Sequence, residues 1–350
     1  MPPSGTRLLS RPDVAAVLTL EDCIAAVEDA FRAHALGRAL PTGVLGIHVA
    51  GGGFHIKAAG LGGDEPLFAA KVNGNFFEND RRFGLPRIQG LVVLCDARHG
   101  YPLAVMDSAL ITAVRTAAAT AVAARHLARR DARVVTVAGC GIQGRAQLRA
   151  IAAVRQITHA FAYDTDPARA QAYAAEMRAA LGVPVEAVED RAAAVRRSDI
   201  VVTCTPARHA FLHAGDVRPG TLVAAVGADS ESKQEIAPDL LRSSVVVPDL
   251  LEQAATIGDL HHAIEAGVMT RADVRAELGQ VVAGLAEGRR NDAEIVIFDS
   301  TGTALQDVAA AALVYARAAR RNLGVVLDLA GPGQHPPNRN PLLNMVRGWL

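Results

Sequence analysis

The stretch that decides the fold is residues 134–148, "VVTVAGCGIQGRAQL". A short apolar run leads directly into Gly139-x-Gly141-x-x-Gly144, and a pattern with helical spacing follows. Glycines at this spacing between a strand and a helix allow the backbone to approach a pyrophosphate, and the helix N-terminus adds free N–H groups. By itself the stretch is also compatible with a glycine turn in an α/β domain that holds no nucleotide.

An acidic residue strengthens the nucleotide interpretation. The next apolar run, "THAFAYD" at 158–164, ends in Asp164, which lies 20 residues after Gly144. A carboxylate at this place accepts hydrogen bonds from the adenosine ribose hydroxyls and repels a 2′-phosphate. The first arginine after it is Arg169. The sequence therefore predicts dinucleotide binding, with NAD rather than NADP as the cofactor.

Short apolar runs alternate with helical stretches through the second half of the chain. The predicted strands are 134–138, 159–163, 183–187, 199–203, 222–226, 244–248 and 294–300. A predicted helix over 305–322 follows the last of them. This alternation is typical of a parallel sheet covered by helices, so the sequence predicts an α/β fold.

The first part of the chain has a different pattern. A helix is predicted over 19–37, with Thr19 as its N-cap, and an alanine-rich helix over 108–128. Between them lie five strand-like pieces separated by glycine-rich turns, at 43–50, 52–61, 67–74, 89–97 and 101–108. Short apolar runs with such turns predict a mostly antiparallel sheet.

Composition narrows the class of protein. The 350 residues carry no net charge, half of them are apolar, and no basic block occurs, which argues against nucleic-acid binding or attachment to an anionic membrane. The start resembles no signal peptide, no apolar run approaches a membrane span, and the four cysteines are scattered, so a cytoplasmic location is predicted. The segment 329–350 is rich in Pro, Gly and Asn and is predicted to be irregular.

The lysines are unusual. Among 36 lysines and arginines, lysine occurs only at 57, 71 and 233. A chain that uses arginine almost everywhere should retain lysine where a compact ammonium does what a planar guanidinium cannot. Lys57 and Lys71 lie in apolar strand-like contexts, which predicts a functional ammonium at each; a strand position that faces solvent is the alternative for both.

Two further residues are candidates for chemistry. Arg115 lies among small residues in the predicted helix, where it either faces solvent or grips a carboxylate. Asp229 follows a predicted strand directly, at the sheet edge where ligands of α/β folds bind, and is a candidate proton donor and acceptor; the alternative is an N-cap. Lys233 could pair with Asp229 or with Glu235. The adjacent histidines His261 and His262 lack metal-ligand spacing, and no metal site is predicted.

Taken together, these motifs resemble the ornithine cyclodeaminase/mu-crystallin family. The stretches that carry the resemblance are "AAKVNGN" (69–75), 84–128, "VAGCGIQGRAQ" (137–147), "VGADSESKQE" (226–235) and "DSTGTALQD" (299–307). The resemblance implies a homodimer with an NAD(P)-binding Rossmann domain and a discontinuous α+β substrate-binding and dimerisation domain. Placed on this chain, the domains are 129–302 for the nucleotide and 1–128 with 303–350 for the substrate.

The resemblance also implies roles for individual residues. Lys71 and Arg115 match the lysine and arginine that bind a carboxylate, Lys57 joins them as a candidate, and Asp229 matches the catalytic aspartate, with Lys71 as a second catalytic candidate. The predicted cofactor-binding residues are Gly139, Gly141, Ile142, Gln143, Gly144, Asp164, Thr205 and Thr112.

The chain departs from the family pattern at three places. Gly43 stands where cyclodeaminases usually have an arginine, Lys57-Ala58-Ala59 replaces a common Met-Pro-Ala, and His55 replaces an acid. Lys57 either restores the carboxylate clamp or binds a second acidic group. Ornithine specificity therefore does not follow from the resemblance.

The expected reaction is hydride transfer at the α-carbon of an amino or imino acid. The lead candidate is conversion of L-ornithine to L-proline and ammonia. The alternative is a ketimine or iminosuccinate reductase or an alanine-type dehydrogenase, and a non-catalytic binding protein like mu-crystallin is a third possibility.

Overall fold

The structure, a computed structural model, describes residues 5–329. Its strands are β1 (Thr6–Leu9), β2 (Ala39–Val49), β3 (Gly52–Leu61), β4 (Leu67–Asn75), β5 (Ile88–Asp96), β6 (Pro102–Asp107), β7 (Val134–Ala138), β8 (His159–Tyr163), β9 (Val185–Ala187), β10 (Ile200–Thr203), β11 (Leu222–Ala225), β12 (Val245–Pro248), β13 (Val296–Asp299) and β14 (Val325–Leu327). Its α-helices are α1 (Arg11–Ala15), α2 (Leu20–Ala35), α3 (Asn79–Phe83), α4 (Ser108–Leu127), α5 (Ile142–Val154), α6 (Pro167–Leu181), α7 (Arg191–Arg196), α8 (Pro238–Arg242), α9 (Leu251–Ile257), α10 (Asp259–Glu265), α11 (Leu278–Val282) and α12 (Ala304–Arg320).

The chain divides into two compact units. Of the described residues, one unit contains 5–115 and 303–329, and the other is Thr116–Gly302. The first boundary therefore falls inside α4, whereas the sequence led us to place it after that helix. No helix within residues 5–329 is both long and apolar enough to cross a lipid bilayer. The predicted irregular segment from residue 330 onward lies outside the described residues.

The first unit is built on one sheet with the strand order β14-β1-β6-β5-β4-β3-β2. The strands β2 to β6 pair antiparallel in sequence order, as predicted. The two short strands β1 and β14 were not predicted, and β1 pairs parallel with β6. Helix α2 begins as expected, because the Thr19 side chain accepts a hydrogen bond from the backbone N–H of Asp22.

Helix α12 is the central packing element of the first unit. It contacts β3, β4, β5 and α2, and nearly all of its residues are buried. A helix that is apolar on all sides requires neighbours on all sides, so α12 lies in the interior of this unit. The polar side chains in its first turn, Gln306 and Asp307, are therefore buried.

The second unit contains a parallel sheet with the strand order β12-β13-β11-β10-β7-β8-β9. Every named pair in it is parallel. The order runs outward from β7 in both directions, with β8 and β9 on one side and β10 and β11 on the other. The predicted parallel α/β sheet is thus confirmed, and its topological switch point lies between β7 and β10.

Candidate active site

Lys71 is a buried ammonium paired with a carboxylate from the last long helix. Its side chain is 3% exposed and lies on the inner face of β4. Its Nζ lies 2.9 Å from Oδ1 and 2.7 Å from Oδ2 of Asp307, in the first turn of α12. Lys71 therefore does not occupy the solvent-facing strand position that was the alternative interpretation.

Arg115 approaches the same carboxylate. Its Nε lies 2.9 Å from Asp307 Oδ1, and its Nη1 donates a hydrogen bond of 2.8 Å to Oε1 of Gln306. The guanidinium is buried, so the solvent-facing alternative for Arg115 is also wrong. The ammonium from the sheet and the guanidinium from α4 meet at one carboxylate.

Asp307 and Gln306 were not among the predicted site residues. The stretch "DSTGTALQD" was noted for its resemblance, but neither residue received a role. The sequence did contain a signal for Asp307, since this single acid precedes a long run of alanine, valine and leucine. An acid on such an apolar helix is buried only when it has a partner, which predicts a cation beside it. Its position near the helix N-terminus also favours the ionised carboxylate.

The electrostatics of this cluster follow from burial and charge. Burial and the positive charges of Arg115 and Lys57 together lower the pKa of Lys71 to about 7, although Asp307 opposes this shift. Burial acts against ionisation of Asp307, but the charges of Arg115 and Lys71 hold the pKa of that carboxyl below its ordinary value. Two cations share one carboxylate, and the remaining positive charge suits a bound anion.

Lys57 is a direct neighbour of Lys71. The two lysines are paired across β3 and β4, and both are buried. The positive charge of Lys57 lowers the pKa of Lys71 and also that of Asp307. All three predicted substrate-binding cations therefore belong to one electrostatic cluster in the first unit.

Some buried polar atoms close to this cluster in sequence lack a hydrogen-bond partner within residues 5–329. Among them are Nε2 of Gln306 and the hydroxyl of Thr112, which precedes Arg115 by about one helical turn. Buried polar groups are nearly always hydrogen-bonded, and exceptions mark places where a ligand or water completes the site. Thr112 was predicted to contact the cofactor; the structure leaves its hydroxyl available.

The glycine turn of the second unit has the geometry that a pyrophosphate needs. Gly139 has a φ of +107°, which disfavours any side chain, and a Cβ at Gly144 would lie 2.2 Å from the carbonyl oxygen of Gly139. A Cβ at Gly141, the N-cap of α5, would meet nothing within 4 Å. Ile142 is exposed beside it. The backbone at Gly141 thus borders open space at a helix N-terminus, which fits a bound phosphate.

Asp164 and Thr205 flank this turn. Asp164 accepts a hydrogen bond of 2.9 Å from the N–H of Cys140, and Arg169 lies 3.8 Å from its other oxygen. Thr205 follows β10, on the other side of the switch point, and its hydroxyl donates to Glu235 at 2.7 Å. The predicted cofactor residues of the second unit therefore lie at the carboxyl ends of β7, β8 and β10.

Asp229 lies in the turn after β11 and pairs with Lys233. The two charged atoms are 2.6 Å apart, and the Asp229 side chain is 38% exposed. Lys233 closes the turn by donating its N–H to the carbonyl of Ser230. Asp229 is thus accessible, and the third lysine of the chain neutralises it.

Glu235 holds the neighbouring loops together and was not predicted to do so. It is completely buried and accepts hydrogen bonds from the N–H and hydroxyl of Thr205 and from the N–H of Gly227. Burial raises the pKa of the Glu235 carboxyl, although these hydrogen bonds oppose the shift. Glu235 therefore fixes the loops that follow β10 and β11, which carry Thr205 and Asp229.

Comparison with known proteins agrees with this geometry. Residues 5–322 match the sequence model of the ornithine cyclodeaminase/mu-crystallin family. An archaeal alanine dehydrogenase, solved as a dimer with bound NAD, superposes with a TM-score of 0.88 at 36% identity, covering 93% of this chain and 99% of that one. The Δ(1)-pyrroline-2-carboxylate reductase of Thermococcus litoralis, solved with NADH and L-proline, gives 0.87 at 34% identity, covering 92% and 100%.

A lysine cyclodeaminase is also similar. Its structure, which concerns recognition of L-lysine, L-ornithine and L-2,4-diaminobutyric acid, gives a TM-score of 0.81 at 30% identity and covers 95% of this chain and 97% of that one. The family match spans most of the chain, and each of the three solved relatives is covered almost completely. The chain belongs to the ornithine cyclodeaminase/mu-crystallin family.

Proposed function

We propose that this protein is an NAD-dependent oxidoreductase that acts at the α-carbon of a small amino or imino acid. The observation that carries the proposal is the buried meeting of Lys71 and Arg115 at Asp307, in a chain whose second unit has a phosphate-binding turn. Solved relatives with bound NAD or NADH support the choice of cofactor.

The first unit holds the substrate carboxylate. Lys71 and Arg115 supply positive charge that a single protein carboxylate does not balance, and the unpartnered Nε2 of Gln306 adds a hydrogen-bond donor. Fixing the carboxylate also fixes the adjacent α-carbon and its hydrogen. Such orientation of a reacting group contributes several kcal/mol to catalysis.

The second unit holds the cofactor and the proton donor. Gly139, Gly141 and Gly144 would form the turn for the pyrophosphate, and Asp164, which lies beside that turn, would accept hydrogen bonds from the ribose. A nicotinamide dinucleotide bound here would supply or accept the hydride. Reduction of a C=N bond also requires one proton at nitrogen, and Asp229 is the accessible acid for it, with Lys233 holding its carboxyl in place.

Two reactions use this machinery. A dehydrogenase or imine reductase stops after one hydride step, and we favour it because the dehydrogenase and the reductase superpose more closely than the cyclodeaminase does. An ornithine cyclodeaminase continues beyond this step. The side-chain amine closes the ring with release of ammonia, and the hydride would then return to the cyclic imine to give proline. Gly43, in place of an arginine, borders open space and contributes no cation, which also weighs against the ornithine reaction.

A substrate screen that follows NADH tests the proposal. Alanine, proline and the imines of common 2-oxo acids should change the NADH concentration if the protein is a dehydrogenase or reductase. L-ornithine with catalytic NAD⁺ should instead give proline and ammonia without net NADH if it is a cyclodeaminase. If Asp229→Asn retains turnover with every substrate found, the proton-transfer role is wrong; if no substrate turns over but ligands bind, a binding protein like mu-crystallin replaces the enzyme.

We also propose that the protein is a homodimer formed through the outer face of the first unit's sheet. Leu45, Ile56, Val72 and Leu91 are paired in one row across β2, β3, β4 and β5, opposite the face that holds Lys71. Three of the four are at least 40% exposed. An uninterrupted apolar row of this kind marks an interface, and a second copy of the chain is the occupant that the dimeric relative favours.

A further inference from the structure

A cluster of metal-ligating side chains lies on α10, apart from the residues of the proposed active site. His261, His262 and Glu265 each offer a ligand atom, and these atoms all lie within 4.8 Å of one another. His261 and Glu265 are four residues apart on one helix face, with Nε2 of the histidine 3.3 Å from Oε2 of the glutamate. That separation suits two ligands of the same tetrahedral ion, each about 2 Å from the metal.

The second histidine has its ring fixed by a backbone carbonyl. Nε2 of His262 lies 2.8 Å from the carbonyl oxygen of Lys233. A carbonyl oxygen can only accept, so Nε2 carries the hydrogen and the neutral ring keeps its free electron pair on Nδ1. Histidines that bind metals almost always donate their other ring N–H in this way.

The two rings are held beside each other without stacking flat. Their centroids are 5.1 Å apart and their planes meet at 63°. The His261 side chain is 18% exposed and that of Glu265 is 64% exposed, so an ion can reach the cluster from solvent. The sequence did not predict a metal site at these adjacent histidines. The orientation of the His262 ring depends on the carbonyl of Lys233, which is 29 residues away in the chain.

We propose that His261, His262 and Glu265 bind a divalent transition-metal ion, with Zn²⁺ as the representative ion. Two imidazole nitrogens and one carboxylate oxygen are ligands that Zn²⁺ accepts, and water completes the coordination. The carboxylate offsets part of the charge of the ion. A purely oxygen-liganded ion such as Mg²⁺ fits this donor set poorly.

Occupancy of this site would act on the loop that carries Asp229. The carbonyl that orients His262 belongs to Lys233, whose ammonium pairs with Asp229. Drawing His262 toward an ion pulls on the backbone of Lys233 and thereby changes the position of its ammonium. This effect on turnover rests on the proposed function, whereas binding of the ion does not.

Calorimetry with ZnCl₂ tests the site on the full chain, purified without a histidine tag and stripped with a chelator. The expected result is one Zn²⁺ per chain for the wild type and at least about tenfold weaker binding for His261→Ala and for Glu265→Gln. Co²⁺ should give the visible absorption bands of a tetrahedral site in the wild type but not in His261→Ala or Glu265→Gln. The absence of stoichiometric binding would overturn the proposal.

The matched control is His213→Ala in the same unit. His213 lies 3.8 Å from the carboxylate of Asp239, and within residues 5–329 it belongs to no group of three potential metal ligands. This variant should bind Zn²⁺ as the wild type does, and an equal loss in His213→Ala would contradict the assigned ligands. NAD affinity, measured on each variant without metal, establishes that the variants are folded.

Turnover provides a separate test of the effect on the loop. Saturating Zn²⁺ should change kcat of the wild type and leave that of His261→Ala unchanged. Equal kcat with and without Zn²⁺ in the wild type would overturn the link to Asp229, while the binding data decide the site independently of any activity.

Discussion

At the scale of single residues, Asp307 determines the properties of the substrate cluster. It pairs with two buried cations that approach it from different elements, one from β4 and one from α4. Removing one partner of a buried ion pair leaves a buried charge without compensation. The resulting loss of folding stability is much larger than the net contribution that the intact pair makes to it. Asp307 is therefore a positioning residue for Lys71 and Arg115.

Replacing Asp307 by Asn should destabilise the protein by about 3–5 kcal/mol, the range for breaking a buried ion pair. Urea unfolding measures this change. Asp131→Asn is the control, because Asp131 pairs with Arg129 on the surface and should have little effect. A carboxylate ligand such as L-alanine should restore part of the stability of Asp307→Asn, and comparable unfolding midpoints for the two variants would refute the buried role.

The low pKa of Lys71 makes carboxylate binding depend on pH. Burial lowers the pKa of Lys71 to about 7, so the free protein loses this positive charge as the pH rises through that value. A bound carboxylate favours the charged form, and ligand binding above pH 7 must therefore take up a proton. Affinity should fall by up to about tenfold per pH unit between pH 7 and 9.

Calorimetry of a carboxylate inhibitor in buffers of different ionisation enthalpy measures this proton uptake. The wild type should take up close to one proton at pH 8, and Lys71→Met should take up none. An affinity that is constant from pH 6 to 9 in the wild type would exclude the shifted pKa.

At the scale of elements, the local patterns were sufficient to predict most of the fold. The strand, glycine turn and helix at β7 and α5 were placed correctly, and so were the antiparallel strands β2 to β6, because their signals lie within a few residues of one another. The strands β1 and β14 have only four and three residues, too few for a periodic pattern. Their pairing joins distant parts of the chain.

The candidate site was predicted only in part, for the same reason. Lys71 and Arg115 stood out by rarity and by resemblance, but Asp307 is 236 residues from Lys71 in the chain. Composition and spacing carry no information about a contact over such a distance. Burial of α12 on every side, which gives Asp307 its importance, is a property of tertiary packing.

The glycine turn provides a prediction that separates folding from cofactor binding. Gly141→Ala adds a methyl group in open space, so the protein should fold normally while the methyl group occupies the place of the pyrophosphate. Its Kd for NAD should rise at least about tenfold, the cost of a misfitting group at a close contact. Gly144→Ala should instead lower the unfolding temperature, because its Cβ would overlap the carbonyl of Gly139.

Titration with NAD and thermal unfolding measure both effects. Gly215→Ala is a suitable control, since a Cβ there also meets nothing within 4 Å and the residue is remote in sequence from the turn. It should bind NAD as the wild type does. Wild-type NAD affinity in Gly141→Ala would show that the cofactor does not approach this backbone.

At the scale of the whole molecule, the two faces of the first unit's sheet have different chemistry. The inner face carries Lys57 and Lys71 in one row. Their neighbours in the chain, Ile56 and Val72, form the adjacent row and lie on the outer face. Strand alternation thus gives one sheet both the anion cluster and the apolar surface proposed for the dimer. A slip of one residue in strand pairing would exchange the two faces.

Leu45→Asp should convert the protein to a monomer, because it replaces an exposed apolar member of the row by a charged side chain. Size-exclusion chromatography with light scattering gives the mass. Leu285→Asp serves as the control, since Leu285 is also highly exposed but belongs to the second unit. A dimeric mass for Leu45→Asp, or a monomeric mass for the wild type, would argue against this interface.

The late position of α12 in the chain has a consequence for synthesis. The ribosome releases the sheet strands β2 to β6 and then all of Thr116–Gly302 before the helix that fills the interior of the first unit emerges. The nascent chain must therefore carry Lys71 without its counter-ion while the second unit is already able to fold. We expect maturation of the first unit to be the slow, post-translational step, and a chaperone that shields its exposed apolar strands would act during that interval.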